Sequence, residues 1–467
     1  MKYLSTRGTA RAATFEDVLL QGLASDGGLF MPESWPQLSP GDIAAFRGQS
    51  YADVAASIMA LFTGDAFSRE RLHAIANDVY SAFDHRDVAP LTQVDDEDWI
   101  LELFHGPTLA FKDFAMQILG CLFDEVLERR DERLTIIVAT SGDTGAAAIE
   151  ALKRCERVNV VVLHPEGRVS DVQRRIMTTV NSPQVCNIAV EGSFDDCQSI
   201  VKALFADEDF VGRVNLSGVN SINWARLAAQ IVYYFTAAAT IGGAVNFVVP
   251  TGNFGDVFAG YSAKRMGLAI PKLVVATNTN DILHRAIQGG DYTPSTVAAT
   301  SSPSMDIQVA SNFERLLFEV LGRNGDDLRA RMTAFQNSGA MKLSKAETRA
   351  ISKDFVSYAA SEEQTTAEIK HHHQEHGALI DPHTAVARVA ARNLRSSGAL
   401  SGNVVTLATA HPAKFPDAVE DAAGMRPVLP ARYADLFDRP EHLLKSAASV
   451  EAVKSIMLGR LAGEGKQ

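Results

Sequence analysis

The sequence is short of several features that would place it at once. Its four cysteines (Cys121, Cys155, Cys186 and Cys197) have no metal-ligand spacing and read as reduced thiols of a cytoplasmic protein, with no metal expected. It has no basic block, and 44 Lys and Arg against 56 Asp and Glu leave a formal charge of −12. That balance argues against nucleic acid or an anionic membrane as the main partner. No long apolar run is unbroken: "IVYYFTAAATIGGAVNFVV" is interrupted by Gly242, Gly243 and Asn246, and reads as a buried helix followed by a strand. The opening "MKYLSTRGTARAA" lacks the apolar core of a secretory signal. Internal repeats and low-complexity segments are also missing.

What remains is an ordinary globular composition, 46 % hydrophobic and 21 % charged over 467 residues, enough for two or three domains. Residues 1–90 read as a mostly helical N-terminal domain, with a turn-rich "ASDGGLFMPESWP" after the first helix. From about residue 91 the rhythm becomes strand, loop, helix. "RLTIIVA", "VNVVVLH", "VCNIAV", "VNFVVP" and "KLVVATN" each run into a helical pattern, and "NVVTLATA" forms a last strand. Apolar β-branched strands alternating with helices predict an α/β fold with open, mostly parallel sheets flanked by helices. The expected division is a core over 91–400, containing a smaller α/β subdomain near 105–220 and a helical insertion near 295–395. Residues 401–467 supply the last core strand, a loop and C-terminal helices, including one through "EHLLKSAASVEAVKSIMLGRLAG". Ligands in such folds sit beyond the carboxyl ends of the strands.

Three loops there carry chemistry. "TSGDTG" (Thr140 to Gly145) and "TGNFGD" (Thr251 to Asp256) each join an apolar strand to a helix, where backbone N–H groups bind an anion. Neither is a P-loop or a dinucleotide fingerprint, and either one alone is equally a tight turn. Asp143 is awkward in an anion site, so its carboxylate is expected to point elsewhere or to meet a donor on the ligand. The third loop, "ATAHPAKFP" (Ala408 to Pro416), offers the Thr409 hydroxyl and the cations His411 and Lys414.

A lysine stands upstream in "LFHGPTLAFKDFA". Phe111, Phe114, Ala115, Ile118, Leu119 and Leu122 recur at helical spacing, Thr108 reads as the N-cap, and Lys112 falls in the first turn. A lysine snorkelling off an apolar stripe is the ordinary reading. The alternative is chemical: desolvation and a helix N-terminus both favour the neutral amine, the form that attacks an aldehyde. A lysine among anion cradles is what a pyridoxal 5′-phosphate enzyme requires. Composition and spacing leave both readings open.

"HGPTLAFKDFAMQ", "ATSGDTGAAA", "PTGNFGDVFAGYSAKRMG" and "ATAHPAKFPDAV" closely resemble the threonine synthases of many bacteria and fungi. So do "YLSTRG", "GLASDGGLFMP", "NSINWARLAAQ", "SSPSMDIQVASNFERLLFE" and "GALIDPHTAVA", in family order from residue 3 to about 420. The resemblance implies the pyridoxal-phosphate fold of tryptophan synthase β chains and conversion of O-phospho-L-homoserine and water to L-threonine and phosphate, the last step of threonine biosynthesis. It implies Lys112 as the lysine that holds the cofactor aldehyde and moves protons during turnover. Gly252, Asn253, Phe254 and Gly255 become the cradle for the cofactor phosphate, and Thr409 the neutral partner of the pyridine nitrogen. Ser141, Gly142, Asp143 and Thr144 resemble the loop that binds the substrate carboxylate and borders the cofactor ring. Asp143 stands where many relatives outside the family carry Asn. Arg226 and Lys414, supported by Asn223 and Ser304, are the candidates for the substrate phosphate; Arg226 paired to an acidic neighbour is the structural alternative.

Two competing readings are a phospholyase that gives a 2-oxo acid and a catalytically inactive regulatory relative. A monomer or homodimer is expected. "KHHHQEHG" (Lys370 to Gly377) has two histidines four apart but lacks the His-Glu-x-x-His order, and reads as a solvated helix end capped by Gly377. His383 in "DPHTA" reads as a helix-start residue and not a catalyst.

Overall fold

The computed structural model describes residues 1–219 and 221–463, without the side chains of residues 462 and 463. Asn220, the first residue of the "NSINWAR" motif, lies outside the described residues. The chain divides into two compact units: residues 1–19, 23–115 and 221–427, and residues 20–22, 116–220 and 428–467.

The first unit is built on a six-stranded sheet. Its strands run Phe355–Ala359, Leu273–Thr277, Val245–Pro250, Asn403–Ala408, Asp98–Glu102 and Leu91–Asp95 across the sheet. The first five are parallel, and Leu91–Asp95 closes the edge as an antiparallel partner of Asp98–Glu102. Strands at the centre are apolar on both sides because both faces are covered. Val248, Val274, Ala276 and Val404 pack on Val386, Val389 and Ala390 of helix Pro382–Ser396. On the other side the Phe247 ring meets Tyr234 of helix Trp224–Ile241 edge-on at 4.8 Å.

The N-terminal helices Tyr51–Thr63 and Arg69–Ser81 start on Ser50 and Ser68, whose hydroxyls accept from the N3 amides. They carry an aromatic chain to the beginning of helix Lys112–Arg130. Tyr51, Tyr80 and Phe83 all contact the Phe114 ring, and the Tyr80 hydroxyl donates to Phe114 O at 2.9 Å. Phe114 in turn meets Tyr233 at 5.6 Å.

The second unit holds a five-stranded, fully parallel sheet, with Leu444–Ala447, Val185–Glu191, Val158–Pro165, Leu134–Ala139 and Leu216–Ser217 in that order. Ile137, Val161, Leu163, Ile188, Cys197, Ile200 and Leu204 form its core, closed by Val453 and Met457 of helix Val450–Gly463. All four cysteines are free.

Three sequence expectations are corrected. The C-terminal "EHLLKSAA" stretch is not the start of a helix: Leu444–Ala447 adds a parallel edge strand, and the helix begins only at Val450. The 295–395 region is not wholly helical, because Phe355–Ala359 pairs along Leu273–Thr277. Helix Glu362–His376 ends on Gly377 at φ 69°, as read, yet His372 is buried and not solvated. Burial, then the Arg388 guanidinium, push the His372 ring down to about 3. No helix among the described residues is long and apolar enough to cross a membrane.

Candidate active site

In the first unit, three neighbouring strands end side by side. Val245–Pro250, Asn403–Ala408 and Asp98–Glu102 are adjacent and parallel, so the loops after residues 250, 408 and 102 emerge at one end of the sheet. These are the loops that hold Gly252–Gly255, Thr409–Lys414 and the approach to Lys112.

The lysine loop is sewn to the loop of the last strand. Leu103 N donates to Ala408 O at 2.9 Å, Phe111 N to Thr409 O at 2.9 Å, and His411 N to Leu109 O at 3.0 Å. Leu109 adopts φ 60°, a conformation that L-residues rarely take and that this stitching holds in place. Lys112 is therefore fixed next to Thr409 along the chain path, one residue after a backbone bond to it. It is 9 % exposed, and its Nζ lies 4.8 Å from the Phe111 ring centre.

Lys112 is the first helical residue, so Thr108 is not the N-cap expected from the sequence. Thr108 instead meets Asp113: its amide donates to Oδ2 and its hydroxyl to Oδ1, both at 2.7 Å. Lys414, fully buried, donates from Nζ to Thr108 O at 2.8 Å. Asp113 presses so close to Gly106 that a Cβ there would stand 2.5 Å from it, which is why this position carries no side chain. Asp113 escaped the sequence reading although it adjoins the lysine, because its role depends on a loop closing back onto the helix.

The loop Thr251–Gly255 is held by bonds from outside it. Thr251 N is tied to Ala276 O at 2.7 Å, and Asn253 O accepts from both Asn312 N and Asn312 Nδ2, at 3.1 and 3.0 Å. Phe254 takes φ 64° as the residue before helix Gly255–Arg265, wedged against Phe313 and Phe355. Among the described residues, the amides of Gly252, Asn253, Phe254 and Gly255 donate to no backbone carbonyl. A Cβ on Gly252 would fall 2.7 Å from Ser304 O. Four amides of this kind in front of a helix fit a phosphate.

Arg226 lies fully inside the same unit on helix Trp224–Ile241, and its Nε and Nη1 have no partner among the described residues. No carboxylate among them pairs with it, so the structural alternative finds no partner. Burial pushes the guanidinium down to about 10. An orphaned buried cation is costly unless an anion joins it. Asn223 caps the same helix, accepting from Ala225 N and donating to Leu19 O, each at 2.9 Å. Ser304 N donates to His383 Nε2 at 3.3 Å, while His383 Nδ1 meets the Asp381 carboxylate at 2.8 Å. His383 thus sits at a helix start and serves as a strut.

In the second unit, Thr140–Gly145 follows strand Leu134–Ala139 and opens helix Asp143–Leu152. The Thr140 hydroxyl accepts from Gly142 N and Gly145 N, at 2.9 and 3.0 Å, which curls the loop. Asp143 has a donor within the chain: Gln173 Nε2 donates to its carboxylate at 2.8 Å. Gly142 has φ 135°, and a Cβ there would meet Gln173 Cδ at 2.8 Å. Sequence reasoning also passed over Asp256, Tyr233 and Tyr234, although Asp256 ends the "TGNFGD" motif itself.

Residues 89–410 match the family model described as pyridoxal-phosphate dependent enzyme. Residues 2–80 and 384–457 match those described as threonine synthase N terminus and threonine synthase, C-terminal. The chain is 52 % identical to the threonine synthase of Pseudomonas aeruginosa over 97 % of its length and 98 % of that protein. A crystal structure of PLP-bound threonine synthase from Brucella melitensis superposes with a TM-score of 0.95 at 48 % identity, covering 98 % of this chain and 99 % of that one. Threonine synthase from yeast superposes with a TM-score of 0.93 at 41 % identity, covering 99 % of both chains.

Proposed function

The chain belongs to the threonine synthase family of pyridoxal-phosphate enzymes, and we propose how its own residues divide the work of making L-threonine and phosphate from O-phospho-L-homoserine and water. The observation that carries this reading is the backbone stitching of the Lys112 loop to Thr409, in the unit that also holds the Gly252–Gly255 amides. One unit thereby supplies an amine, a phosphate cradle and a neutral hydroxyl.

Lys112 would hold the cofactor aldehyde, Gly252, Asn253, Phe254 and Gly255 would bind its phosphate through their amides, and the Thr409 hydroxyl would partner the ring nitrogen. Once bound, pyridoxal phosphate supplies an electron sink for charge developing at the substrate's α-carbon. The Lys112 amine would take the proton from Cα and redeliver protons as phosphate leaves Cγ and water adds at Cβ. A neutral Thr409 hydroxyl, in place of a carboxylate, would not hold a proton on the ring nitrogen.

Arg226 carries the charge of the substrate phosphate. Lys414 and Asn223 support it while bracing the Thr108 loop and the helix start, and Ser304 adds a half-buried hydroxyl. The substrate carboxylate falls to Ser141, Gly142, Asp143 and Thr144; the first-turn amides of helix Asp143–Leu152 support this, and the Asp143–Gln173 bond offsets part of the repulsion a free carboxylate would exert. The four free thiols support the cytoplasmic reading. Incubating the PLP-loaded protein with O-phospho-L-homoserine tests the function: L-threonine and phosphate in equal amounts are expected, and 2-oxobutyrate as the main product would overturn it.

A further inference from the structure

His383 is 4 % exposed, and the helix start it occupies does not need its ring. Asp381 caps helix Pro382–Ser396 by accepting from His383 N at 2.9 Å and Thr384 N at 3.3 Å. Any residue but proline at position 383 supplies that first amide. The ring makes contacts of its own: Nδ1 meets Asp381 Oδ1 at 2.8 Å, Nε2 accepts from Ser304 N at 3.3 Å, and Phe415 packs on it with ring centres 4.9 Å apart. A backbone N–H can only donate, so Nε2 carries no proton and Nδ1 holds it toward Asp381. The carboxylate thus selects the one tautomer that can hold Ser304.

Ser304 and Phe415 both belong to segments of the candidate site. Ser304 lies in the short turn Pro303–Met305, whose backbone walls the amide loop. A Cβ on Gly252 would stand 2.7 Å from Ser304 O and 3.4 Å from Met305 Cα. The residue after this turn, Asp306, ties it down by accepting from Asn278 Nδ2 at 2.8 Å, Asn280 Nδ2 at 3.0 Å and Thr300 N at 2.9 Å. Phe415 follows Lys414 at the end of the loop that carries Thr409. One imidazole therefore joins the wall of the amide loop to the Thr409 loop, and all of these residues lie in the first unit.

We propose that His383 is a positioning residue for the cofactor: held in one tautomer by Asp381, its ring fixes the Ser304 turn against Gly252 and spaces it from the Phe415 end of the Thr409 loop. This rests on the reading of Gly252–Gly255 as the cradle of the cofactor phosphate. Backbone amides bind an anion best when they converge before it arrives, because ordering them during binding lowers affinity. A turn released from Nε2 lets the wall behind Gly252 move, and the loss falls on cofactor binding.

The test is the Kd of PLP, titrated into the full-length apoprotein and followed by visible absorbance, in wild type, His383→Gln, His383→Asn and Gly252→Ala. The Tm of each apoprotein is measured beside it. Gln places its amide oxygen where Nε2 stands and can still accept from Ser304 N, whereas Asn reaches only as far as Nδ1. His383→Asn is expected to weaken PLP binding by about tenfold, the worth of one hydrogen bond, and His383→Gln to stay within about threefold of wild type. Equal Kd values in the two His383 variants, or Kd values that follow the apoprotein Tm from variant to variant, overturn the proposal. Gly252→Ala tests the underlying reading, since its added Cβ meets Ser304 O. A wild-type Kd there overturns the cradle, whereas weakened binding there with His383→Asn unchanged overturns the proposal alone. If His383→Asn does not fold, Asp381→Ser takes its place, because it keeps a capping hydroxyl and removes the carboxylate from the ring. A wild-type Kd in that variant then overturns the proposal.

Discussion

Arg226 has a buried guanidinium with Nε and Nη1 unpartnered, on the helix whose N-cap is Asn223. Charged hydrogen bonds of this kind are worth about 1.5–3 kcal/mol each. Arg226→Ala is expected to raise KM for O-phospho-L-homoserine by about 100-fold while the spectrum of the bound cofactor stays that of wild type. A KM near the wild-type value would remove Arg226 from the phosphate site. At this scale the sequence already pointed to the loops of Lys112 and Gly252, which the structure gathers at one end of the sheet. It was opaque where a role needs partners brought from afar. The hydrogen bonds on the Asp256 carboxylate come from two tyrosines more than twenty residues upstream, and Asp113 depends on Thr108 folding back over the helix start.

Among the elements, the six strands read in advance are those with dense β-branched runs, such as Val158–Pro165 and Val245–Pro250. Two of those passed over, Phe355–Ala359 and Leu444–Ala447, are edge strands. Phe355–Ala359 buries only alternate residues at its start, and Leu444–Ala447 buries only Ser446, so neither carries the apolar run of a central strand. The histidine run teaches the same lesson for helices, since its composition is polar while the packing of helices Glu362–His376 and Pro382–Ser396 buries one member. His372 has a consequence for pH. Burial and Arg388 favour its neutral ring in the folded chain, so the unfolded chain takes up the proton first as pH falls. Its contribution to stability is complete above about pH 6.5 and is lost towards about 3. In denaturant titrations across that window, His372→Asn is expected to flatten the fall in stability by about 1.4 kcal/mol per pH unit. An identical slope in the variant would contradict this.

At the scale of the whole chain, both large sheets are mostly parallel α/β layers, as the alternation of apolar strands and helical patterns implies, and the chain crosses between units at residues 19–20, 22–23, 115–116, 220–221 and 427–428. The long return of residues 428–467 to the second unit left no signal in the sequence. It is made by one short edge strand and by Val453 and Met457 filling a core assembled more than 230 residues earlier. Burying such side chains contributes about 1.5–3 kcal/mol each. Deleting residues 444–467 is expected to lower Tm by several degrees and to raise binding of a hydrophobic dye; an unchanged Tm would show that this segment is dispensable to the second unit's core.

All of these scales meet at one nitrogen. The fold aligns three strand ends, the loops are sewn together by Phe111, Thr409, Leu109 and His411, and Lys112 is buried in the unit that also holds the Gly252–Gly255 amides. Borohydride reduction of the PLP-loaded protein, followed by proteolysis and peptide mapping, reads that claim directly. The pyridoxyl group is expected on Lys112 alone, in the peptide containing "LAFKDFAMQ". A label on any other lysine, with Lys112 unmodified, would contradict the account.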